Sequence, residues 1–368
     1  GLVTNAGDAW LEQRRTLQPF FHKNRHEHLA RMIRQAVSTE LSYWERVMRQ
    51  GTPFDLSQAL ERMSMEMMVQ TVFGIVVEEQ KLEAIRQRLG FLSDYRYILL
   101  GILSGKLPAH IPLYGRSSYA RAIEDIHTQV YTLVQTHMAA SSPEQNLLNW
   151  VLPTNLVEKG TYADEKLLPY LRDQVTTLFV SGYETTYASL AWAFSLLASH
   201  PREMERLYAE VKSVDSSLDT FETLQALPYT RAVFREALRL YPPGWRITRK
   251  VLETDEIDGV SIPAGASVML FIYGIQRHPE IWEQPDAFLP ERWLENPVKM
   301  AHPLGWIPFG MGPRQCLGKD LAMLEGQIAL AMIAQRFSLQ WRGESKQGVQ
   351  LATTLKPKGK LWVDLVAR

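Results

Sequence analysis

The sequence predicts a mainly α-helical protein with a minor β region in its last third. Apolar residues recur three and four apart along His26–Gln50, which is the spacing of an amphipathic helix. After Pro242-Pro243, apolar and polar residues alternate and turn signals such as Asp258-Gly259 appear, as in short strands. The C-terminal segment from Phe337 shows the same pattern of alternation and turn signals. No linker separates the parts, so we expect a single domain over residues 1–368.

Composition excludes several classes of protein. The 368 residues are 46% hydrophobic, which is enough to bury a large core. Forty basic residues balance 40 acidic ones, so net charge favours neither nucleic acid nor an anionic membrane. No window of about 18 residues lacks charged and polar breaks, so no membrane anchor is visible. We expect no nucleic-acid partner and, for the chain as numbered, a cytoplasmic protein.

The chain opens on GLVTNAGDAW, without a starting Met. We therefore expect it to be part of a longer protein, whose missing N-terminal portion would hold any anchor or transit segment.

The segment from Tyr97 to Arg116 is apolar but interrupted by glycines and prolines. This pattern is typical of a lid or a connection rather than a helix, and we expect it to be one or the other. A lid would border the substrate entrance.

A long helix is predicted for Leu171–His200, about eight turns that Pro201 ends. Both of its ends are apolar on nearly all sides, so we expect it to be buried. Within it, SGYETT places Gly182, Glu184 and Thr185 where the flanks predict apolar contacts. The stretch is either a polar patch in the helix interior or a functional site, because functional sites often break local rules.

The only cysteine, Cys316, lies in FGMGPRQCLG. One thiol excludes an intrachain disulfide and a metal site made of cysteines alone. A lone cysteine is commonly a small buried apolar residue. Here, however, the glycines leave backbone amides uncovered, and a helix is predicted to begin at Lys319. The free amides, the positive end of that helix and the charge of Arg314 all favour the thiolate over the thiol. With no catalytic base beside it, a thiolate suits a metal ligand, and one suffices for a haem iron.

The cysteine loop resembles the F-G-x-G-x-R-x-C-x-G motif of the cytochrome P-450 superfamily. The matching residues are Phe309, Gly310, Gly312, Arg314, Cys316 and Gly318. The resemblance implies the cytochrome P-450 fold, with small sheets in the last third and the long central helix over the haem. It also implies that Cys316 binds the iron of haem b.

A second motif of the family is an E-x-x-R pair on a helix, here Glu236 and Arg239. Such pairs are helical neighbours, and the same spacing at Glu12/Arg15, Glu83/Arg86 and Glu203/Arg206 is expected on solvated faces. The resemblance adds Arg292 of the PERW segment as third partner. It implies that the three support the haem pocket and take no part in catalysis.

The SGYETT stretch resembles the family's A/G-G-x-D/E-T-T motif. The resemblance implies that the helix is distorted near Gly182 and that the Thr185 hydroxyl, with a water, organises proton delivery to bound dioxygen. Glu184 would relay protons from solvent.

The start of the chain matches a third feature of the family, W-x-x-x-R, at Trp10 and Arg14. These two residues share a helix face. The resemblance implies that they bind a haem propionate together with Arg314 and Arg249, although Arg249 suits a plain surface position nearly as well.

The resemblance implies a monooxygenase that inserts one oxygen atom of O2 into a small apolar organic substrate. Fatty acids and terpenoids are both compatible, and the pocket is expected to include Phe179, Tyr183, Trp245 and Ile247. Electrons would come from a separate ferredoxin or flavoprotein reductase, for which Arg314 and Lys319 could offer positive charge. Two rival functions remain: a peroxide-driven peroxygenase on the same fold, and a non-enzymatic haem sensor.

Overall fold

The structure, a computed structural model, describes residues 1–74 apart from 52, residues 83 and 147, scattered positions between 117 and 132, and most of 167–368. In the last range, residues 215–217, 219–220, 295–301 and 343–346 are outside the description. The expected lid or connection at Tyr97–Arg116 lies outside the described residues. The mainly helical fold with small sheets is confirmed.

Three helices open the chain: α1 (Gly7–Leu17), α2 (His26–Arg49) and α3 (Leu56–Phe73). Their boundaries follow from capping. The Asp55 side chain accepts a hydrogen bond from the Ser57 amide (3.1 Å) at the start of α3, and Gly74 ends it at φ 65°. The apolar face of α2, including Leu29, Ile33 and Trp44, is buried, as the sequence predicts.

The long helix α4 spans Leu167–Ser199 and is followed at once by α5 (Pro201–Lys212). Its described part includes four residues before the predicted Leu171. Helix α4 contacts α3, α7 (Pro228–Leu240) and α9 (Lys319–Arg336). It is therefore the central helix of the fold.

The remaining helices are short: α6 (Phe221–Gln225) and α8 (Ile272–Ile275). Single 3-10 turns occur at Pro290–Trp293 and Gly312–Arg314. None of the described helices is both long and apolar enough to cross a membrane.

Small antiparallel sheets occupy the last third, as predicted. Strand β1 (Phe54–Asp55) joins β9 (Trp362–Ala367), which also pairs with β6 (Phe337–Trp341). The predicted turn at Asp258-Gly259 connects the two strands of one hairpin. The other pairs are β2 (Ile247–Lys250) with β5 (Ser267–Leu270), β3 (Asp255–Ile257) with β4 (Val260–Ile262), and β7 (Val349–Leu351) with β8 (Leu355–Pro357).

Helices α7 and α9 approach closely at Gly326, because this residue has no side chain. A Cβ added there would lie 2.2 Å from the Phe234 ring, which is buried. The close approach fixes α9, and with it the cysteine loop that precedes it, against the core.

Replacing Gly326 by Ala is expected to destabilise the fold. Alanine is favoured inside a helix by about 1 kcal/mol, but overpacking against a buried ring costs about 1–3 kcal/mol. The free energy of unfolding, measured by urea titration, should fall by about 1 kcal/mol. Adding Phe234→Leu should make the alanine tolerated. An unchanged or higher stability of Gly326→Ala would contradict the close packing.

Candidate active site

The cysteine loop is a tight turn that presents a thiol. The Cys316 amide donates to the Phe309 carbonyl (2.9 Å), which closes the loop. Gly310 and Gly312 both have φ of 67°, a conformation that side chains disfavour, so the glycines of the motif are required by the backbone. Helix α9 begins at Lys319, and the Cys316 side chain is exposed.

The surroundings of Cys316 have opposing effects on its charge. Burial by the surrounding protein atoms raises the pKa of the thiol. A hydrogen bond from the Gly318 amide and the charge of Arg14 act in the opposite direction, while Glu325 adds to the rise. The amide contribution matches the sequence prediction, whereas the basic neighbour that acts on the thiol is Arg14 and not the expected Arg314.

Positive charge gathers beside the cysteine loop. The Arg314 guanidinium lies 4.0 Å from the Trp10 ring centroid and that of Arg14 lies 5.7 Å from it. Arg14 also donates to the Gln315 carbonyl (3.0 Å), which ties α1 to the loop. Burial lowers the pKa of Arg314, and the charges of Arg249 and Arg14 lower it further. Arg249 is thus close enough for its charge to be felt, although its side chain is exposed.

These residues fit a haem. No described carboxylate forms an ion pair with Arg14, Arg249 or Arg314, so three cations converge without a protein anion, as two propionates would require. Cys316 offers one thiol beside them, and the described residues contain no cluster of three or more His, Cys, Asp or Glu that could hold a metal ion. A single protein ligand is what a haem iron needs.

The polar side chains of Thr185 and Glu184 on α4 contact different parts of the protein. The Thr185 hydroxyl donates to the Ser181 carbonyl (2.7 Å). Glu184 is buried, and its side chain lies against the hairpin formed by strands β7 and β8, called the C-terminal hairpin below. Its Oε1 accepts from the Thr354 hydroxyl (3.0 Å) and pairs with Lys356 Nζ (2.5 Å). The two predicted catalytic side chains are therefore neighbours in sequence but contact different partners.

Gly182 has a packing role. A Cβ at residue 182 would lie 1.6 Å from the Met68 methyl group of α3, so glycine lets the two helices approach. Helix α4 is uninterrupted from residue 181 to 186. The distortion near Gly182 that the resemblance implies stays a prediction, and the close contact with Met68 is a steric reason for glycine at this position.

A buried carboxylate on α9 was missed by the sequence reasoning. Glu325 accepts a hydrogen bond from the Thr186 hydroxyl (2.7 Å), and burial raises its pKa to about 7. It joins α9 to α4 one residue after Thr185. The signal was available, because a lone acid in the apolar run AMLEGQIALAMIA breaks the helix pattern in the way that Glu184 does.

The E-x-x-R pair is fully buried with its third partner. Both side chains of Glu236 and Arg239 are 0% exposed, and they form two hydrogen bonds of 2.9 Å. Arg292 Nε donates to Glu236 Oε1 (3.0 Å), and the Trp293 indole donates to Oε2 (2.8 Å). In contrast, the Glu203–Arg206 pair at the same spacing is 3.5 Å apart and partly exposed.

The buried cluster reaches the cysteine loop through Gln276. Arg239 donates to the Gln276 carbonyl (2.9 Å), and the Gln276 amide group donates back to the Arg239 carbonyl (3.0 Å). Gln276 Oε1 then accepts from the Ile307 amide (2.9 Å), two residues before Phe309. The Phe309 ring packs edge-on against Trp306, 6.1 Å between centroids.

The structure brings only some of the expected pocket residues together. Phe179 and Tyr183 are buried on α4, with ring centroids 5.7 Å apart. Trp245 donates to the Ala352 carbonyl (3.2 Å), and Ile247 lies against Gly310, at 3.0 Å from the position of an added Cβ.

Comparisons with known proteins agree with this geometry. The family model "Cytochrome P-450" matches residues 1–362. A cyclooctat-9-en-7-ol 5-monooxygenase of Streptomyces melanosporofaciens is 30% identical over 344 residues, 92% of this chain and 72% of the relative. Pentalenene oxygenase of Streptomyces avermitilis is 27% identical over 372 residues, 100% of this chain and 80% of the relative.

A solved structure is also similar. The haem domain of a cytochrome P-450DA mutant superposes with a TM-score of 0.85 at 24% identity, covering 100% of this chain and 80% of that one. At this identity the likeness establishes the fold alone.

Replacing Glu236 by Gln should destabilise the protein strongly. The change leaves Arg239 and Arg292 without the buried carboxylate that compensates them, at a cost of about 3–5 kcal/mol. Urea unfolding gives the free energy. Glu12→Gln, at the same spacing from Arg15 but exposed, should cost less than about 1 kcal/mol. Equal losses in the two variants would show that the buried cluster has no special role.

Replacing Glu325 by Gln should change how stability depends on pH. The pKa of Glu325 is raised from 4.5 to about 7 in the folded protein, so its contribution is complete below pH 4.5 and is lost as pH rises through about 7. The variant should therefore gain stability relative to wild type across this window, by up to about 3 kcal/mol. Urea unfolding at a series of pH values measures the difference, and parallel profiles for the two proteins would contradict it.

Proposed function

The chain belongs to the cytochrome P-450 family and is an oxidoreductase of that family, and from this premise we propose that it is a haem-thiolate monooxygenase. It inserts one oxygen atom of O2 into an apolar organic substrate. The observation that carries the proposal is the Cys316 thiol, held by the Gly318 amide beside three arginines that no described carboxylate pairs with. We further propose that the 368 residues form one haem-binding domain.

Haem b is the cofactor in this proposal. Cys316 would bind the iron as thiolate, and Trp10, Arg14, Arg314 and Arg249 would bind the propionates. When bound, a thiolate-ligated haem supplies the chemistry of dioxygen reduction and O–O cleavage. The Gly318 amide supports the charge of the sulfur, because a hydrogen bond to the charged form favours it. Phe309 covers the same loop, and Gly310 keeps its turn tight.

In this proposal, side chains of helix α4 deliver the protons. The Thr185 hydroxyl, now bonded to the Ser181 carbonyl, holds a water at the reacting oxygen, and Glu184 provides the protons. Because Glu184 is held at the hairpin by Thr354 and Lys356, its protons reach Thr185 through water rather than by direct contact. Gly182 allows α3 to pack against this part of the helix.

We propose a terpenoid-like substrate with few polar groups. Support comes from the two Streptomyces relatives, which are named for cyclooctat-9-en-7-ol and for pentalenene. The buried rings of Phe179 and Tyr183 provide an apolar surface on the same helix as Thr185.

Electrons come from a separate ferredoxin or flavoprotein reductase in this proposal. The positive charge of Arg314 and Lys319 at the cysteine loop suits an acidic protein surface.

Replacing Cys316 by Ser should abolish the spectral signature of thiolate ligation. Reduced wild-type protein loaded with haem should give a strongly red-shifted Soret band with carbon monoxide, because the sulfur donates electron density to the iron. Cys316→Ser should lose the shift completely. Met311→Ser, an exposed position in the same loop, should keep it. A histidine-like band in folded wild-type protein, or a shift that survives Cys316→Ser, would overturn the proposed function.

A further inference from the structure

The C-terminal hairpin is attached to α4 at three successive residues. Thr354 donates to Glu184 Oε1 (3.0 Å), and Lys356 Nζ lies 2.5 Å from the same oxygen. Between them, the Leu355 carbonyl accepts from the Trp192 indole (3.0 Å), two turns along the helix. These three independent hydrogen-bonding groups fix the position of strand β8 (Leu355–Pro357) against the helix.

The contact matters because Glu184 is a buried charge. Its side chain is 4% exposed, and a buried carboxylate is costly unless a cation compensates it. Thr354 is neutral and cannot do so. The Lys356 side chain is 18% exposed, so its ammonium can keep part of its hydration while it holds the carboxylate.

Three buried charged groups on helices that pack against α4 have partners other than Glu184. Glu66 of α3 accepts from Gln70, Glu325 of α9 accepts from Thr186, and Arg239 of α7 binds Glu236. Among the described residues, Lys356 is therefore the cation that faces Glu184.

We propose that Lys356 is a positioning residue for the acid of the active site: it keeps Glu184 charged and fixes Oε1 at the hairpin, leaving Oε2 to exchange protons. This inference rests on the proposed function for the role of Glu184. Glu184 rests as the carboxylate, takes a proton from solvent at Oε2 and passes it to the water at Thr185, which returns the residue to its charged form. In that form the residue carries one negative charge, which the ammonium compensates.

The charge of Glu184 can be tested without turnover. Lys356→Met keeps the aliphatic stem but removes the cation. At neutral pH its infrared spectrum should gain the C=O stretch of a protonated buried carboxyl, and this band should vanish in the double variant Glu184→Gln/Lys356→Met. Lys356→Arg should lack the band. Lys358→Met, an exposed position two residues along the same hairpin, is the matched control and should also lack it.

Stability provides a second readout. Lys356→Met should lower the folded-to-unfolded ratio by about tenfold or more, because one partner of a mostly buried pair is lost. In the Glu184→Gln background the same change should cost much less, since no charge is left to compensate. If Lys356→Met is too unstable to purify, Lys356→Gln, which also removes the cation but can still donate a hydrogen bond to Oε1, should gain the same carboxyl band, and its absence there would equally contradict the inference.

The positioning role is tested with pentalenene as probe substrate, a reductase and NAD(P)H. Lys356→Met should yield roughly tenfold less product per electron, with more peroxide released, while its carbon monoxide spectrum stays like that of wild type. Lys356→Arg and Lys358→Met should behave as wild type.

Three results would overturn the inference: no carboxyl band in Lys356→Met, a band that persists without Glu184, or unchanged coupling of electrons to product despite the lost charge. The infrared and unfolding measurements need neither haem nor substrate. Failure of the proposed function would appear separately, as wild-type protein without the red-shifted Soret band.

Discussion

The Glu236 carboxylate is the interaction on which the site depends. It accepts five hydrogen bonds from four residues, two from Arg239 and one each from Arg292, Trp293 and the Leu289 amide, on two oxygens that water cannot reach. Through these donors one side chain fixes helix α7, the PERW turn and the segment that precedes it. Because Arg239 also binds the Gln276 carbonyl, the order extends to the residues that lead into the cysteine loop. Hydrogen bonds thus link the buried cluster to the residues that lead into the loop of Cys316.

Three buried carboxylates of the core show three ways of meeting the cost of burial. Glu236 is compensated by two arginines, and Glu184 by one lysine and a hydroxyl. Glu325 has the Thr186 hydroxyl, and burial raises its pKa to about 7. The compensation of a buried acid therefore depends on the partners that the fold places beside it and not on the residue type.

Much of this arrangement could be predicted from the sequence, because the decisive patterns are local. The glycines around Cys316, the i, i+3 spacing of Glu236 and Arg239, and the uninterrupted apolar run of α4 each constrain neighbours in the chain. The sequence distinguishes the buried pair Glu236/Arg239 from the exposed pair Glu12/Arg15 only through its apolar helix, the Tyr-Pro-Pro stop and the PERW segment. The packing of Gly182 against Met68 could not be predicted, since this contact joins two helices and leaves no trace in the local pattern.

The parts that escaped prediction share a physical cause. Lys356 lies in a strand that reads as ordinary surface, and its partner Glu184 is about 170 residues away, as the Thr354 contact beside it shows. Arg14 reaches Gln315 across 301 residues, and Thr186 reaches Glu325 across 139. A motif identifies which group can react, but its charge is set by whichever side chain the fold places beside it. Sequence patterns of three or four residues carry no information about that neighbour, so the charges of an active site have to be taken from the tertiary structure.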